Sequence, residues 1–160
     1  MPPKYIPRRA IIPIGPSIAY IPLTKGYYSL IDSEDAHIAE TRNWYAAVCP
    51  RTVYARRSPS TYLHALIFGD NGPDHINCNG LDNRRANLRA ATSRQNGYNQ
   101  RRPTTNTTGF KGVCFYSGRF RAHIIIDGRN KHLGGFFTAE DAYAAYCKAA
   151  QETRGEFMRG

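Results

Sequence analysis

The chain has 160 residues, room for one ordinary domain or two small ones, and its 41% hydrophobic and 12% aromatic content excludes a disordered polymer. Its 22 lysines and arginines against 12 acids leave a net charge of +10, which points to a polyanionic partner, nucleic acid before a membrane surface. No apolar run approaches the roughly 20 residues of a spanning helix, and Met1-Pro2-Pro3-Lys4 has no apolar core like that of a signal peptide, so a cytoplasmic protein without a membrane partner is expected.

Residues 1–18, rich in proline and carrying Lys4, Arg8 and Arg9, read as an extended basic arm, a passive tail or an extra phosphate contact. Residues 19–68 read as a small mixed α/β unit. Strands over 19–23 and 27–31 are split by Lys25-Gly26, and Ser33-Glu34-Asp35 caps a helix from 36 to 44. A hairpin over 45–48 and 52–56 follows, then a short helix over 62–68. Asp70-Asn71-Gly72-Pro73 is a turn signal. A strand then carries Asp74, His75 and Ile76, residues 77–87 form a polar loop, 88–92 a return strand, and Ser93 caps a helix through Asn99. Residues 101–109 form a linker, and 110–137 alternate as a three-stranded antiparallel meander turning at Ser117-Gly118 and Asp127-Gly128. Thr138 caps a last helix with Glu140 and Asp141 in its first turn, which Ala139, Ala142, Ala145 and Tyr146 pack onto the sheet. The expected class is α+β, with an arm over 1–18, a catalytic domain over 19–100, the linker, and a second domain over 110–160.

Cys49, Cys78, Cys114 and Cys147 have neither the close spacing of a zinc knuckle nor the density of a secreted disulfide scaffold, so free thiols and no structural zinc are expected.

The chemistry concentrates in residues 74–96. Asp74 beside His75, followed by spaced asparagines among arginines, offers a hard oxygen ligand, a base for water and cations for a phosphate backbone. A strand sends neighbouring side chains to opposite faces, so Asp74 and His75 meet one phosphate only if the strand twists or ends there. His75, with an ordinary pKa near 6.5, can take a proton from water. Asn77 and Asn79 read as loop polars, and Asp82 with Asn83 as the builders of the turn. No acid interrupts residues 83–102, and Arg84, Arg85, Arg89, Arg94, Arg101 and Arg102 are the candidate DNA contacts, two or three of them expected to clamp phosphates and Arg89 or Arg94 to stabilise transition-state charge.

The runs LHALIFG, DHINCNGLDNRRANLR and SRQNGYN resemble the HNH family of endonucleases, particularly its homing and phage-borne members, closely over residues 60–100 and more loosely upstream. The resemblance implies a ββα-metal finger, one divalent cation (Mg²⁺ or Mn²⁺), and hydrolysis of duplex DNA to 5′-phosphate and 3′-hydroxyl ends. It assigns Asp74 and Asn96 to the metal, with Asn99 as the alternative last ligand, His75 as the base and Asn87 as the residue that orients it. His64 falls where the family carries a His followed by Arg. Here Ala65 follows, and His64 either contacts phosphate or packs under the motif.

Residues 107–157, through TTGFKGV, GRFRAHIIIDGR, HLGGFFTAEDAYAAYCKAA and Arg154-Gly155-Glu156, resemble the plant Apetala/ethylene-response-factor DNA-binding domain. That implies a three-stranded sheet, backed by a helix, lying in the major groove. Parity sends Phe120, Ala122, Ile124 and Ile126 towards the helix and Arg121, His123 and Ile125 outwards. Lys111, Arg119, Arg129 and Lys131 join Arg121 and His123 as expected DNA contacts, and Ile125 and Tyr116 can meet a thymine methyl, a base or a phosphate. Cys114, Tyr116, Ile125 and His132 stand where arginine or tryptophan is usual, so the plant recognition sequence does not transfer. The leading expectation is a monomeric endonuclease that cuts at a recognised site. The alternatives are a DNA-binding regulator with a silent finger, or an RNA-binding protein, which lacks the usual aromatic motif.

Overall fold

In a computed structural model of the chain, which describes residues 10–40, 43–69, 72–99 and 105–157, the end of the proline-rich segment is not a loose arm. Ile12–Pro13 forms β1 and pairs antiparallel with β2 (Ile18–Pro22), which pairs in turn with β3 (Tyr28–Asp32). Proline is tolerated in β1 and at the end of β2 because β1 is an edge and Pro22 closes its strand. A single helical turn over Ser33–Asp35 leads into α1 (Ala36–Glu40), shorter than expected. Trp44 lies beyond that helix, 2% exposed, and its indole nitrogen donates to the Ala39 carbonyl at 3.2 Å, satisfying a group the helix end leaves open.

A second antiparallel sheet follows, with β4 (Tyr45–Val48), β5 (Val53–Ser58) and β6 (Thr61–Tyr62) in that order, then α2 (Leu63–Phe68). Ala19, Ile21 and Ile31 from the first sheet, Leu23 just beyond β2, Ala46 and Ala55 from the second sheet, and Trp44, Leu63, Ile67 and Leu88 lie in one buried core. β7 (Asp74–His75) and β8 (Leu88–Arg89) form a two-stranded ribbon followed by α3 (Ser93–Tyr98), giving the strand, loop, strand, helix order read from the sequence. The cap of α3 is Thr92 rather than Ser93. Thr92 Oγ1 accepts from the Gln95 amide at 3.2 Å while Gln95 Oε1 accepts from the Thr92 amide at 2.8 Å, a reciprocal capping box.

The chain divides into two compact units, Met1–Asn96 and Gly97–Gly160, a break ahead of the expected linker. In the second unit Asn106 and Thr108, expected in that linker, are ordered. Asn106 Nδ2 donates to the Phe110 carbonyl at 2.8 Å and its Oδ1 accepts from the Gly109 amide at 3.0 Å. β9 (Val113–Tyr116), β10 (Arg119–Ile126) and β11 (Arg129–Phe136) form the antiparallel meander. Both turns are two residues long with positive φ at both positions, 49° and 73° at Ser117-Gly118 and 51° and 75° at Asp127-Gly128, the geometry that matches strand twist. α4 (Ala139–Arg154) starts at Thr138, whose Oγ1 accepts from the Asp141 amide at 3.1 Å. It buries Ala142, Tyr146 and Ala150 against Ala122 and Ile124. Gly112, at φ +74°, allows this packing, because a Cβ there would collide with the Tyr146 ring. The class is α+β.

Candidate active site and nucleic-acid face

A ribbon of two residues per strand cannot hold itself, so the geometry of Asp74 and His75 is set by the loop between β7 and β8. Strand pairing ends at His75, opposite Leu88, and the chain turns at once, which leaves Asp74 and His75 both buried, at 4% and 5% exposure. Asparagines build the turn. Asn77 Oδ1 accepts from the Asn79 amide at 2.8 Å, and Asn79 Oδ1 accepts from the Leu81 amide at 3.1 Å. Asn87 crosses the loop: its Oδ1 accepts from the Asn77 amide at 3.0 Å, and its Nδ2 donates to Asn77 Oδ1 at 3.0 Å and to the Asp82 carbonyl at 2.7 Å. The far side of the loop is stitched to β3, the Leu30 amide donating to the Leu81 carbonyl and the Asn83 amide to the Leu30 carbonyl, each at 2.8 Å.

His75 Nε2 lies 2.9 Å from Asn83 Oδ1. The oxygen at the ring therefore comes from Asn83, which the sequence reading took for a turn builder, while the bonds of Asn87 run into the loop. Asn87, expected to orient His75, makes its side-chain bonds to the segment that follows the histidine. The His75 ring meets His64 edge-on, centroids 4.9 Å apart, and Tyr54 at 6.0 Å. Burial pushes the His75 imidazole below its usual range, opposed by the Asn83 bond and by the charges of Asp74 and Asp82. His64 is pushed down to about 4, by burial first and by His75 second. Of its two readings, the structure shows packing against the motif, with Tyr62 and Tyr54 at 5.0 and 5.6 Å on its other sides.

Asp74 Oδ2 accepts from Arg89 at 3.1 Å (Nε) and 2.9 Å (Nη2). A buried carboxylate fixed in place by an arginine is a sound hard-oxygen donor. A carboxamide beside it would complete a set suited to Mg²⁺ or Mn²⁺. Asn96 is exposed on α3, and Asn99 is 4% exposed. Among the described residues, three acids that could share an ion, Asp32, Glu34 and Asp35, lie elsewhere in the first unit. That group is already answered: Arg85 donates to Asp35 at 2.6 and 3.0 Å, sits 3.4 Å from Glu34, and gives its amide to Asp32 at 2.7 Å.

Three arginines of the run are ion-paired. Arg84 donates to Asp82 at 2.8 and 2.7 Å, Arg85 is held by Asp35, and Arg89 by Asp74. Asp82 immediately precedes the acid-free stretch, whereas Asp35 and Asp74 lie 50 and 15 residues from their arginines, which is why Arg85 and Arg89 looked uncommitted. Arg94 is exposed on α3. Arg101 and Arg102 lie outside the described residues.

In the second unit Lys111, half-buried, donates from its Nζ to the Tyr98 carbonyl at 2.7 Å. Arg119, Arg121, Arg129 and Lys131 are exposed and His123 is half-buried. Register puts Arg121 opposite Cys114, and Arg119 opposite Tyr116, on the face away from α4. There Arg121 lies 4.4 Å over the Tyr116 ring and Arg119 3.6 Å over Phe137, so guanidinium groups and aromatic rings share one outward surface with Ile125, itself 55% exposed.

Sequence reasoning missed Ser29 and Tyr54 as well as Asn83. Ser29 carried a usable signal, because strand parity places it on the face of the buried Ile31, where a polar side chain must find a partner.

No protein-family model matches the chain, and no solved structure matches it. An uncharacterized HNH endonuclease of Acanthamoeba polyphaga mimivirus is 27% identical over 153 residues, covering 88% of this chain and 80% of that protein. An AP2-like ethylene-responsive transcription factor of Arabidopsis thaliana is 32% identical over 103 residues, 63% of this chain but only 21% of the plant protein. Protein 3.8 of Escherichia phage T7 is 30% identical over 88 residues, 54% of this chain and 72% of the phage protein. The chain belongs to one family with the phage T7 Protein 3.8, and it is a distant homologue of an HNH endonuclease and, over part of its length, of AP2-like transcription factors.

Proposed function

We propose that the chain is a metal-dependent DNA endonuclease that cuts at a site recognised by its second unit. The observation that carries this is the buried Asp74–His75 pair, held side by side in a braced asparagine loop, a carboxylate for a hard cation beside an imidazole whose lone pair can take a proton from water. In this reading His75 takes a proton from the attacking water. Asn87 fixes the loop that follows His75. Arg89 holds the Asp74 carboxylate in place. Asp74 and Asn96, or Asn99 in its stead, would hold one Mg²⁺ or Mn²⁺, which when bound supplies Lewis-acid stabilisation of charge at the phosphate. Cleavage leaves 5′-phosphate and 3′-hydroxyl ends.

The outward face of β9–β11, with Arg119, Arg121 and His123 among Tyr116, Ile125 and Phe137, is the DNA-binding surface, its cations on phosphates and its apolar groups on base edges, while Arg129 and Lys131, paired with Ile126 and Ile124 on the opposite face, add exposed positive charge near the Asp127-Gly128 turn. Arg94 adds a phosphate contact in the first unit. Joining binder and cutter in one chain raises the effective concentration of the cutter at its target. One finger in a monomer predicts a nick in one strand. The exposed sheet face and the likeness to a plant transcription factor also suit a DNA-binding regulator, which would bind without cutting.

The test is a library of duplexes with randomised sequence, incubated with the protein and Mn²⁺, from which new 5′-phosphate ends are captured by ligation and sequenced. Ends enriched at one motif, and abolished by EDTA, are expected. A library that binds and enriches but yields no new ends would favour the regulator.

A further inference from the structure

We infer that Asn83 and Ser29 set the tautomer and the aim of the His75 ring, making them positioning residues for the cleavage proposed above, on which this inference rests. The bonds form one directed chain. The Ser29 hydroxyl donates to the Leu81 carbonyl at 3.1 Å, an oxygen that can only accept. The Ser29 oxygen then accepts from Asn83 Nδ2 at 2.7 Å, which turns Asn83 Oδ1 towards His75, 2.9 Å from Nε2. Oδ1 accepts only, so Nε2 carries the proton and Nδ1 carries the basic lone pair. Running the chain the other way, with Asn83 Nδ2 facing the imidazole, would turn the serine proton to Asn83 and forfeit the Ser29–Leu81 bond.

The chain is also held rigidly and kept dry. Ser29 and Asn83 are 0% exposed and His75 5%. The Asn83 backbone is fixed from the same strand that carries Ser29, through the Leu30 carbonyl at 2.8 Å. The Tyr54 and His64 rings flank the imidazole and oppose its rotation. A serine 54 residues away in sequence from Asn83 thus decides which nitrogen of His75 is the base.

The test reads the nitrogens directly. Full-length ¹⁵N-labelled protein at about pH 8, where neutral imidazole prevails, gives long-range ¹H–¹⁵N correlations for its five histidines, with His75 identified by its loss in His75→Gln. The wild type is expected to show the Nε2-protonated pattern. Ser29→Ala, which removes one hydroxyl, should bring in the other tautomer and lower the rate of supercoiled-plasmid cleavage in Mn²⁺ by about tenfold, leaving KM near wild type. Asn83→Asp keeps an oxygen for Nε2–H and should keep the pattern, whereas Asn83→Leu should lose it. An Nδ1-protonated wild type, or a Ser29→Ala protein with unchanged nitrogens and unchanged rate, would overturn the inference. If Asn83→Leu fails to give a cooperative thermal melt, Ser29→Ala and Asn83→Asp still decide the matter. A wild type that shows the expected pattern but cuts no DNA would sink the nuclease reading and leave the tautomer assignment supported.

Discussion

Arg85 stands in the middle of the basic run and would be an obvious choice for a DNA contact, yet it is bound to a carboxylate only 1% exposed. Replacing it by methionine leaves Asp35 buried without its bidentate partner at 2.6 and 3.0 Å. Breaking a buried pair from one side costs about 3–5 kcal/mol. The Arg85 side chain is 50% exposed, so water reaches part of the site, and a discounted cost of about 2–3 kcal/mol is appropriate. Glu34, 73% exposed, adds little. At about 4–8 °C per kcal/mol for a unit of this size, the first unit should melt roughly 10–20 °C lower. Urea denaturation of Arg85→Met, Asp35→Asn and the double variant checks this, and the double should be less unstable than the sum of the singles. An Arg85→Met protein that melts normally while losing affinity for duplex DNA would refute the reasoning and return Arg85 to the DNA surface.

Acid should unfold the first unit earlier than carboxylates alone require. The folded pKa of His64, about 4, lies below its unfolded value of 6.5, so its contribution is complete above pH 6.5 and is lost as pH falls towards 4. The loss should reach about 2–3 kcal/mol, and His64→Phe should flatten the stability-against-pH curve over that window; parallel curves would contradict it. Gly112→Ala adds a Cβ against the Tyr146 ring at a φ of +74°, and should cost the second unit about 3 kcal/mol or more by thermal melt. Arg121→Ala and Arg129→Ala should weaken duplex binding and each reduce the salt slope by about 1. Lys111→Ala should instead lower the melting temperature, because its ammonium is engaged with the Tyr98 carbonyl.

Features governed by neighbours in sequence were legible. The Ser117-Gly118 and Asp127-Gly128 turns, the strand parity of 120–126 and the Thr138 cap each depend on a few adjacent residues, and each lies where the sequence put it. The order of β7, loop, β8 and α3 was legible from the motif. Pairings between distant segments were not. Asn83 and Asn87 are the same residue type in the same polar loop, and only the stitching of 81–83 to β3 determines which of them meets the imidazole. The same holds for Arg85 and Arg89, whose charge looks uncommitted in sequence and is committed in space because the buried acids Asp35 and Asp74 arrive from other elements. The end of the arm was misread because two prolines suggested an unpaired segment, whereas an edge strand needs few of its amides.

The central claim is that His75 acts as a base in cutting DNA. The most direct measurement follows supercoiled plasmid with wild type, His75→Ala and Asp74→Ala at equal concentration, in Mn²⁺ and low salt and again in EDTA, alongside a gel-shift of the same duplex. The account predicts nicked circle from the wild type only with metal, cleavage slower by about 100-fold or more in both variants, and similar shifts by all three proteins. Equal cutting by wild type and His75→Ala, or binding by all three with no cutting by any, would contradict it.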